Sequence, residues 1–366
     1  MSLETRAWVQ RSADGDPRLE TLRLDAPRPD ELVVRVVAAG VCHTDLMGPA
    51  LGWLPAVYGH EGAGIVESVG ARVTKVRPGD RVALTFGSCG TCANCHEGHP
   101  SHCANSAQLQ FGGGRLDGSG TFLAAPGEPA VRGAFFQQSS FATHALATER
   151  NVVRVPDEFP LELAGPLGCG IQTGAGAVLN TLAVPAGARL AVFGVGSVGL
   201  SAVMAGRLSG CLQVIAVAVN PARLELAREL GATHALDARE GGVVERIVGL
   251  TRGGATHSVE TAGAQDTFRA AIECLRKRGV CGLATVPDLG RPFEYSPLPI
   301  LMGRTVIGVL EGSSVPDTFI PRLMELQLAG RLPYERLVGW YGFDELPRAL
   351  DDARSGRTIK PIVRIG

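Results

Sequence analysis

Aromatic side chains are scarce in this chain of 366 residues, 5% of it against 45% hydrophobic residues in all, so its core must be built largely from aliphatic and small side chains. Neither sign of charge is in excess. Thirty-five Lys and Arg against 36 Asp and Glu leave a formal charge of -1, which excludes a global field for nucleic acid or an anionic membrane. A small-molecule partner is the expectation. No uninterrupted apolar run approaches the roughly eighteen residues of a membrane span, and the opening "MSLETRAWVQRSADGD" lacks a basic segment leading into an apolar one. These absences predict a cytoplasmic protein with no membrane partner. In a reducing compartment, nine cysteines read as metal ligands, catalytic groups or small buried residues rather than disulfides.

What is present begins with "CGTCANCHEGHPSHC". Cys89, Cys92, Cys95 and Cys103 follow the spacing C-x2-C-x2-C-x7-C, tight enough to point three thiolates at one ion while the fourth closes a tetrahedron. Four sulfurs leave no open position, so such a site anchors a loop and activates nothing. An iron-sulfur cluster is the competing reading, but the ferredoxin continuation x3-C-P is missing. A nucleic-acid-binding zinc ribbon would need positive charge, and residues 89–103 contain no Lys or Arg. His96, His99 and His102 could replace a sulfur, yet four thiolates already complete the shell.

A second set is scattered. "AAGVCHTDLMG" and "YGHEGAGIVESVG" carry Cys42 and His60, and "GPLGCGIQTG" carries Cys169. Cys, His and Cys make a three-ligand zinc set with a fourth position left for water or substrate. Taken singly, each is as well a core cysteine or a satisfied histidine. Their joint meaning rests on "RLAVFGVGSVGLSAVMAGRLSG", where an apolar run, Arg189 to Phe193, leads through Gly194, Gly196 and Gly199 into a helical pattern. The first glycine permits a tight turn, the second lets the backbone approach a pyrophosphate, and the third lets helix pack on strand. "LQVIAVAV" and "PARLELARELG" supply the next strand and helix, completing a unit for a dinucleotide. At the end of that second strand the usual carboxylate for the adenosine ribose is replaced by Ala218, with Asn220 and Arg223 just beyond. Loss of that charge favours acceptance of NADP beside NAD.

Further alternation follows: "HSVETAG" (strand), "DTFRAAIECLRKRG" (helix), "VCGLATV" and "RTVIGVLEG" (strands) imply about six parallel strands. The fold class expected is α/β: a doubly wound Rossmann nucleotide-binding domain over residues 171–310. Residues 1–170 and 311–366 form a β-rich domain, with β-branched runs broken by turn pairs such as Pro78-Gly79, two tail helices and a final strand "KPIVRI".

Together, "GVCHTD", "GHEGAGIV", "VRPGDRV", the four-cysteine lobe, "GCGIQTGAG", "GVGSVG" and "SGRTIKPI" resemble the zinc-containing medium-chain alcohol dehydrogenases along nearly the whole chain. "EGSSVPDTFIPRL" and "FFQQSSFATHA" resemble the aryl (benzyl) alcohol branch in particular. The resemblance implies a GroES-like first domain carrying two zinc ions, one catalytic at Cys42, His60 and Cys169 and one structural at the four cysteines. It implies that Glu61 approaches the catalytic metal, that Asp45 accepts the free ring N–H of His60, and that Thr44 holds the substrate hydroxyl; helix capping is the other reading of Asp45 and Thr44. His43, Thr173 and Lys360 match cofactor contacts. Met47 stands where many relatives carry the histidine that ends a proton relay, so the proton must leave by Thr44 and the cofactor ribose or by His43. Trp53 and Phe86 stand at the family's pocket walls, with Phe111, Phe135, Phe136 and Phe141 as further aromatic candidates. Cys211, Cys274 and Cys281 read as buried small hydrophobes.

The implied activity is reversible hydride transfer between a primary aryl or allylic alcohol and NAD(P), in a homodimer or homotetramer paired through "TVIGVL". A biosynthetic reductase or oxidase of a larger natural product is a second reading on the same scaffold. A non-catalytic zinc-stabilised binding protein is a third, and it predicts loss of one of the ligands or glycines, all of which are present.

Overall fold

The computed structural model describes residues 2–52, 54–124, 127, 129–285 and 292–366. The chain divides into two units, one of residues 1–169, 315–328 and 334–366, the other of residues 170–314 and 329–333.

The first unit is built on β-strands, and its central one, Glu31–Gly40, shows why. "ELVVRVVAAG" alternates two apolar faces: Leu32, Val34 and Val36 pack with Val66, Val82, Leu84 and Ala145, while Val33 turns to Ala7, Val9, Leu24 and Leu146. A strand buried on both sides reads as a continuous β-branched run. It pairs antiparallel with Glu61–Val69, with His144–Thr148 and with the last strand, Lys360–Arg364. The sheet continues through Arg81–Leu84 to Val152–Arg154 on one side and ends at Val338–Gly342 on the other. A smaller sheet is ordered Ala56–Val57, Leu3–Gln10, Arg18–Leu24 and Phe122–Leu123. The register Ile362 opposite Gly40 brings the carboxyl-terminal strand beside the segment that leads into Cys42.

The second unit holds six parallel strands in the order His234–Asp237, Gln213–Ala218, Arg189–Phe193, Ala255–Glu260, Leu275–Leu283 and Thr305–Gly308. Order reverses at Arg189–Phe193, the switch point where doubly wound sheets take their ligands. Ala191, Phe193, Ile215, Val217, Ile247 and Ile272 form its core, with Cys274 and Cys281 buried among them. One helix is shorter than its sequence suggested. The run through "LRKRG" leaves the helix at Glu273, because Leu275, 1% exposed, is claimed by the core and pairs with Ala255.

Candidate active site

Both cysteine-containing sets assemble. The Sγ atoms of Cys89, Cys92, Cys95 and Cys103 all lie within 4.8 Å of one another. Backbone amides aim at these sulfurs: Cys89 N at Cys103 (3.2 Å), Thr91 N at Cys89 (3.4 Å) and Ala104 N at Cys92 (3.4 Å). Such donors stabilise thiolates, the form that binds metal. Burial works against the Cys89 thiolate, yet hydrogen bonds from Thr91 hold its pKa down at about 5; burial pushes Cys95 up to about 12. His96, His99 and His102 are exposed around the lobe.

Cys42, His60, Glu61 and Cys169 form the second set, again with one ligand atom of each within 4.8 Å of the others. Cys42 precedes the short helix His43–Met47, and Asp45, buried in its first turn, ties two ligand segments together. Its carboxylate accepts from Cys42 N (2.9 Å), from Gly59 N (3.1 Å) and from His60 Nδ1 (2.8 Å). Capping and ligand support are therefore one role. Cys169 arrives on a turn pressed against the strand Arg81–Leu84, where a Cβ on Gly168 would lie 1.9 Å from Leu84 O. The two sulfurs are 3.9 Å apart. That contact lowers the Cys42 pKa against the effect of burial, with help from His60 and Lys360. Burial opposes charge on His60, but Asp45 and Cys42 lift its pKa well above the usual value. The remaining ring nitrogen, Nε2, is buried with no hydrogen-bond partner. An orphaned imidazole nitrogen beside two sulfurs fits a zinc ion.

Thr44 Oγ1 lies 3.9 Å from Cys42 Sγ, half-buried, and His43 is exposed. Glu61 is held by Lys360, whose Nζ donates to both carboxylate oxygens (2.8 and 2.9 Å) and to Val41 O (3.0 Å). The structure thus commits the Lys360 ammonium to a carboxylate of the metal set. Phe136 stacks on the His60 ring with centroids 4.4 Å apart and planes at 22°. Phe135 meets the ring edge-on, and Phe111, 36% exposed, contacts both phenylalanines. Phe86 and Phe141 are buried in the same apolar cluster. Trp53 lies outside the described residues.

In the second unit each glycine does a separate job. Gly194 has φ +88°, a Cβ on Gly199 would lie 1.9 Å from Gly194 O, and a Cβ on Gly196 would meet nothing within 4 Å. The open space at Gly196, at the amino end of the helix Ser197–Leu208, is the cradle a pyrophosphate would fill. Ala218 ends its strand, and Asn220 caps the next helix by accepting from Arg223 N at 3.3 Å. Thr173 is buried, its hydroxyl 3.5 Å from Glu311 Oε2. Sequence reasoning missed the Gln138 side chain, which grips the His60 peptide; the available signal was a pair of amides inside the apolar "AFFQQSSFA".

The family described as the alcohol dehydrogenase GroES-like domain matches residues 28–157, and the zinc-binding dehydrogenase family matches residues 197–327. Geraniol dehydrogenase of Castellaniella defragrans is 45% identical over 99% of this chain and 98% of its own. The chain belongs to the zinc-containing medium-chain alcohol dehydrogenases. Among solved structures, an alcohol dehydrogenase zinc-binding domain protein from Burkholderia ambifaria is 48% identical with a TM-score of 0.97, covering 100% of both chains. Benzyl alcohol dehydrogenase from Acinetobacter calcoaceticus is 40% identical with a TM-score of 0.95, also over 100% of both. This dehydrogenase therefore has a GroES-like and a Rossmann-like part, and no helix among the described residues is long and apolar enough to cross a membrane.

Proposed function

We propose that this dehydrogenase interconverts a primary aryl or allylic alcohol and its aldehyde, using NAD(P). Cys42, His60 and Cys169 hold one zinc; Cys89, Cys92, Cys95 and Cys103 hold another. The observation that carries the reading is the contrast between two sets: four sulfurs that fill a tetrahedron, and a Cys, His, Cys group with an orphaned Nε2 whose neighbour Glu61 is held by Lys360, so that a position is left open. When bound, zinc supplies the charge that acidifies an alcohol hydroxyl, and the nicotinamide accepts the hydride.

The chain's own residues do the positioning. Asp45 accepts the hydrogen bond of His60 Nδ1–H, which keeps the proton on Nδ1 and leaves the Nε2 lone pair for the metal. Thr44, beside Cys42, is placed to hold the substrate hydroxyl and pass on its proton, with His43 next in line toward solvent. Met47 carries no proton. Gly194, Gly196 and Gly199 receive the dinucleotide, with Thr173 of the same unit as a further contact. Lys360 serves Glu61 rather than a phosphate, and Glu61 is kept within reach of the metal. Phe135, Phe136 and the partly exposed Phe111 give the site an aromatic wall, which suits the substrates named for its geraniol and benzyl alcohol relatives.

We also place the enzyme in the cytoplasm, because six thiolate ligands are kept reduced in a reducing compartment. Self-association is proposed through the sheet edge at Thr305–Gly308, where Ile307 and the nearby Leu301 and Leu310 are 39%, 81% and 43% exposed. The test is a panel of benzylic, allylic and short aliphatic alcohols with both nicotinamide cofactors, beside metal analysis. Two zincs per chain and a kcat/KM at least tenfold higher for benzylic or allylic alcohols are expected; a preference for ethanol would overturn the substrate class.

A further inference from the structure

The strands Glu61–Val69 and Arg81–Leu84 pair as Ile65 with Arg81, Gly64 with Val82 and Ala63 with Ala83, and there the ladder stops. The next backbone groups are met by a side chain. Gln138 Oε1 accepts from Gly62 N at 3.0 Å, while Nε2 donates to His60 O at 2.8 Å and to Thr85 O at 3.3 Å. A carboxamide thus replaces a strand partner, satisfying buried groups that would otherwise be orphaned while the strands part just before the metal-binding histidine.

The same amide reaches the far ligand. Thr85, which it contacts, donates its hydroxyl to Gly168 O at 2.8 Å, one residue before Cys169. Asn151 braces Thr85 from the other side, accepting from Thr85 N at 2.9 Å. Two ligands that are distant in sequence are therefore joined by a short chain of hydrogen bonds through the Gln138 amide, which is 2% exposed, and the Thr85 hydroxyl.

The segment that delivers Gln138 is strained. Ala134, Phe136, Gln137 and Ser139 have φ of 54°, 51°, 59° and 51°, a region that side chains with a Cβ avoid and that persists only where the surroundings over-determine it. The surroundings do so here: Ser139 Oγ donates to Val57 O and accepts from Phe135 N, and Gln137 Nε2 donates to Leu109 O. The outcome of this backbone is Phe136 flat on the His60 ring and Gln138 on the His60 peptide.

We propose that Gln138 is a positioning residue for the catalytic metal, fixing the peptide of His60 and, through Thr85, the turn that carries Cys169. The proposal rests on the reading of Cys42, His60 and Cys169 as a zinc site. Its test uses the full-length, zinc-loaded enzyme and the release of zinc to an excess of a coloured chelator. Gln138→Glu keeps the acceptor but loses both donors; Gln138→Met keeps the length and loses all three bonds. Both variants are expected to release one of the two zincs at least tenfold faster than wild type, to leave the other release phase unchanged, and to shift the visible bands of cobalt substituted at the open site. Thr85→Val, which removes only the link to Gly168, is expected to accelerate the same phase about threefold, and it carries the test should the Gln138 variants not fold. Two zincs with wild-type release rates and unshifted cobalt bands in these variants would overturn the role of Gln138 alone. A wild type that binds a single zinc would overturn the metal assignment instead, and the proposal with it.

Discussion

The Lys360 ammonium bridges both oxygens of Glu61 at 2.8 and 2.9 Å, and neither side chain is more than 1% exposed. Burial drives the Glu61 pKa up while Lys360 holds it back, and burial drives Lys360 down while Glu61 and Cys42 more than reverse it. Removing one partner leaves the other charge in a low dielectric. Lys360→Met is therefore expected to cost about 3–5 kcal/mol, measured as a fall in the urea midpoint. Adding Glu61→Gln to it should recover most of the loss, since a neutral amide needs no counter-charge. A Lys360→Met enzyme as stable as wild type would show that Glu61 is already neutral.

The closed and open cysteine sets make opposite forecasts. Cys169→Ser should bind one zinc per chain and lose turnover by more than about a hundredfold, beyond the loss expected for an outer partner of a ligand, with its unfolding temperature nearly kept. Cys92→Ser should also bind one zinc but lower the unfolding temperature, because its four sulfurs pin the loop of residues 89–103. Metal analysis with calorimetry checks both, and a reversed pattern would exchange the two roles.

How far the sequence alone revealed this depends on the range of each requirement. Gly194, Gly196 and Gly199 were legible because tight turn, open approach and close packing are local demands that only glycine meets. The convergence of Cys89, Cys92, Cys95 and Cys103 was legible because their spacing is the one a metal shell demands. Cys42, His60 and Cys169 needed the resemblance, since nothing local in three separated motifs says that a fold brings them within 4.8 Å. The pairing of Glu61 with Lys360, 299 residues apart, depends on the register of the last strand against Glu31–Gly40. Beyond the pair of amides in an apolar run, the role of Gln138 was illegible for the same reason: its partners are the ends of strands whose parting no residue pattern announces. The helix that stops at Glu273 illustrates tertiary override, because burial of Leu275 outweighs the helical tendency of the residues after it.

Acid stability has one clear contributor in the tail. The Asp352 carboxylate accepts from Tyr341 Oη at 2.7 Å and from Arg357 Nε at 2.6 Å, and these hydrogen bonds hold its pKa below the ordinary value. A depressed folded pKa means that the contribution is complete above the unfolded carboxylate value of about 3.9 and disappears as pH falls through the folded one. Asp352→Asn should accordingly unfold at a lower temperature than wild type at pH 7, and the gap should close as the pH is taken below about 4. A gap that persists unchanged well below that pH would assign the loss to packing rather than to charge.

Cofactor choice is predicted to turn on the end of the strand Gln213–Ala218. A carboxylate at Ala218 would bind the adenosine ribose hydroxyls, a charge-assisted bond of about 1.5–3 kcal/mol. It would also repel a 2′-phosphate. The residue in register on the neighbouring strand, Asp237, does not replace it, because its carboxylate is clasped by Arg239, with Nε at 2.9 and 3.1 Å. Asn220 Oδ1 is occupied as the helix cap, and Arg223 starts the helix beside it with a guanidinium that stays charged although burial lowers its pKa. On this reading Arg223 supplies a positive group near the strand end, where Ala218 supplies no negative one. Wild type is expected to use NADP as well as NAD, and Ala218→Asp should move the ratio of kcat/KM toward NAD at least tenfold, about 1.4 kcal/mol. The measurement is the four kcat/KM values, two enzymes with two cofactors, at one alcohol concentration range and one ionic strength, since phosphate recognition is screened by salt. Arg223→Ala separates the contributions: it should weaken NADP and leave NAD within about twofold. If wild type ignores NADP and Ala218→Asp leaves the ratio where it was, the choice is made by a group other than Ala218 and Arg223.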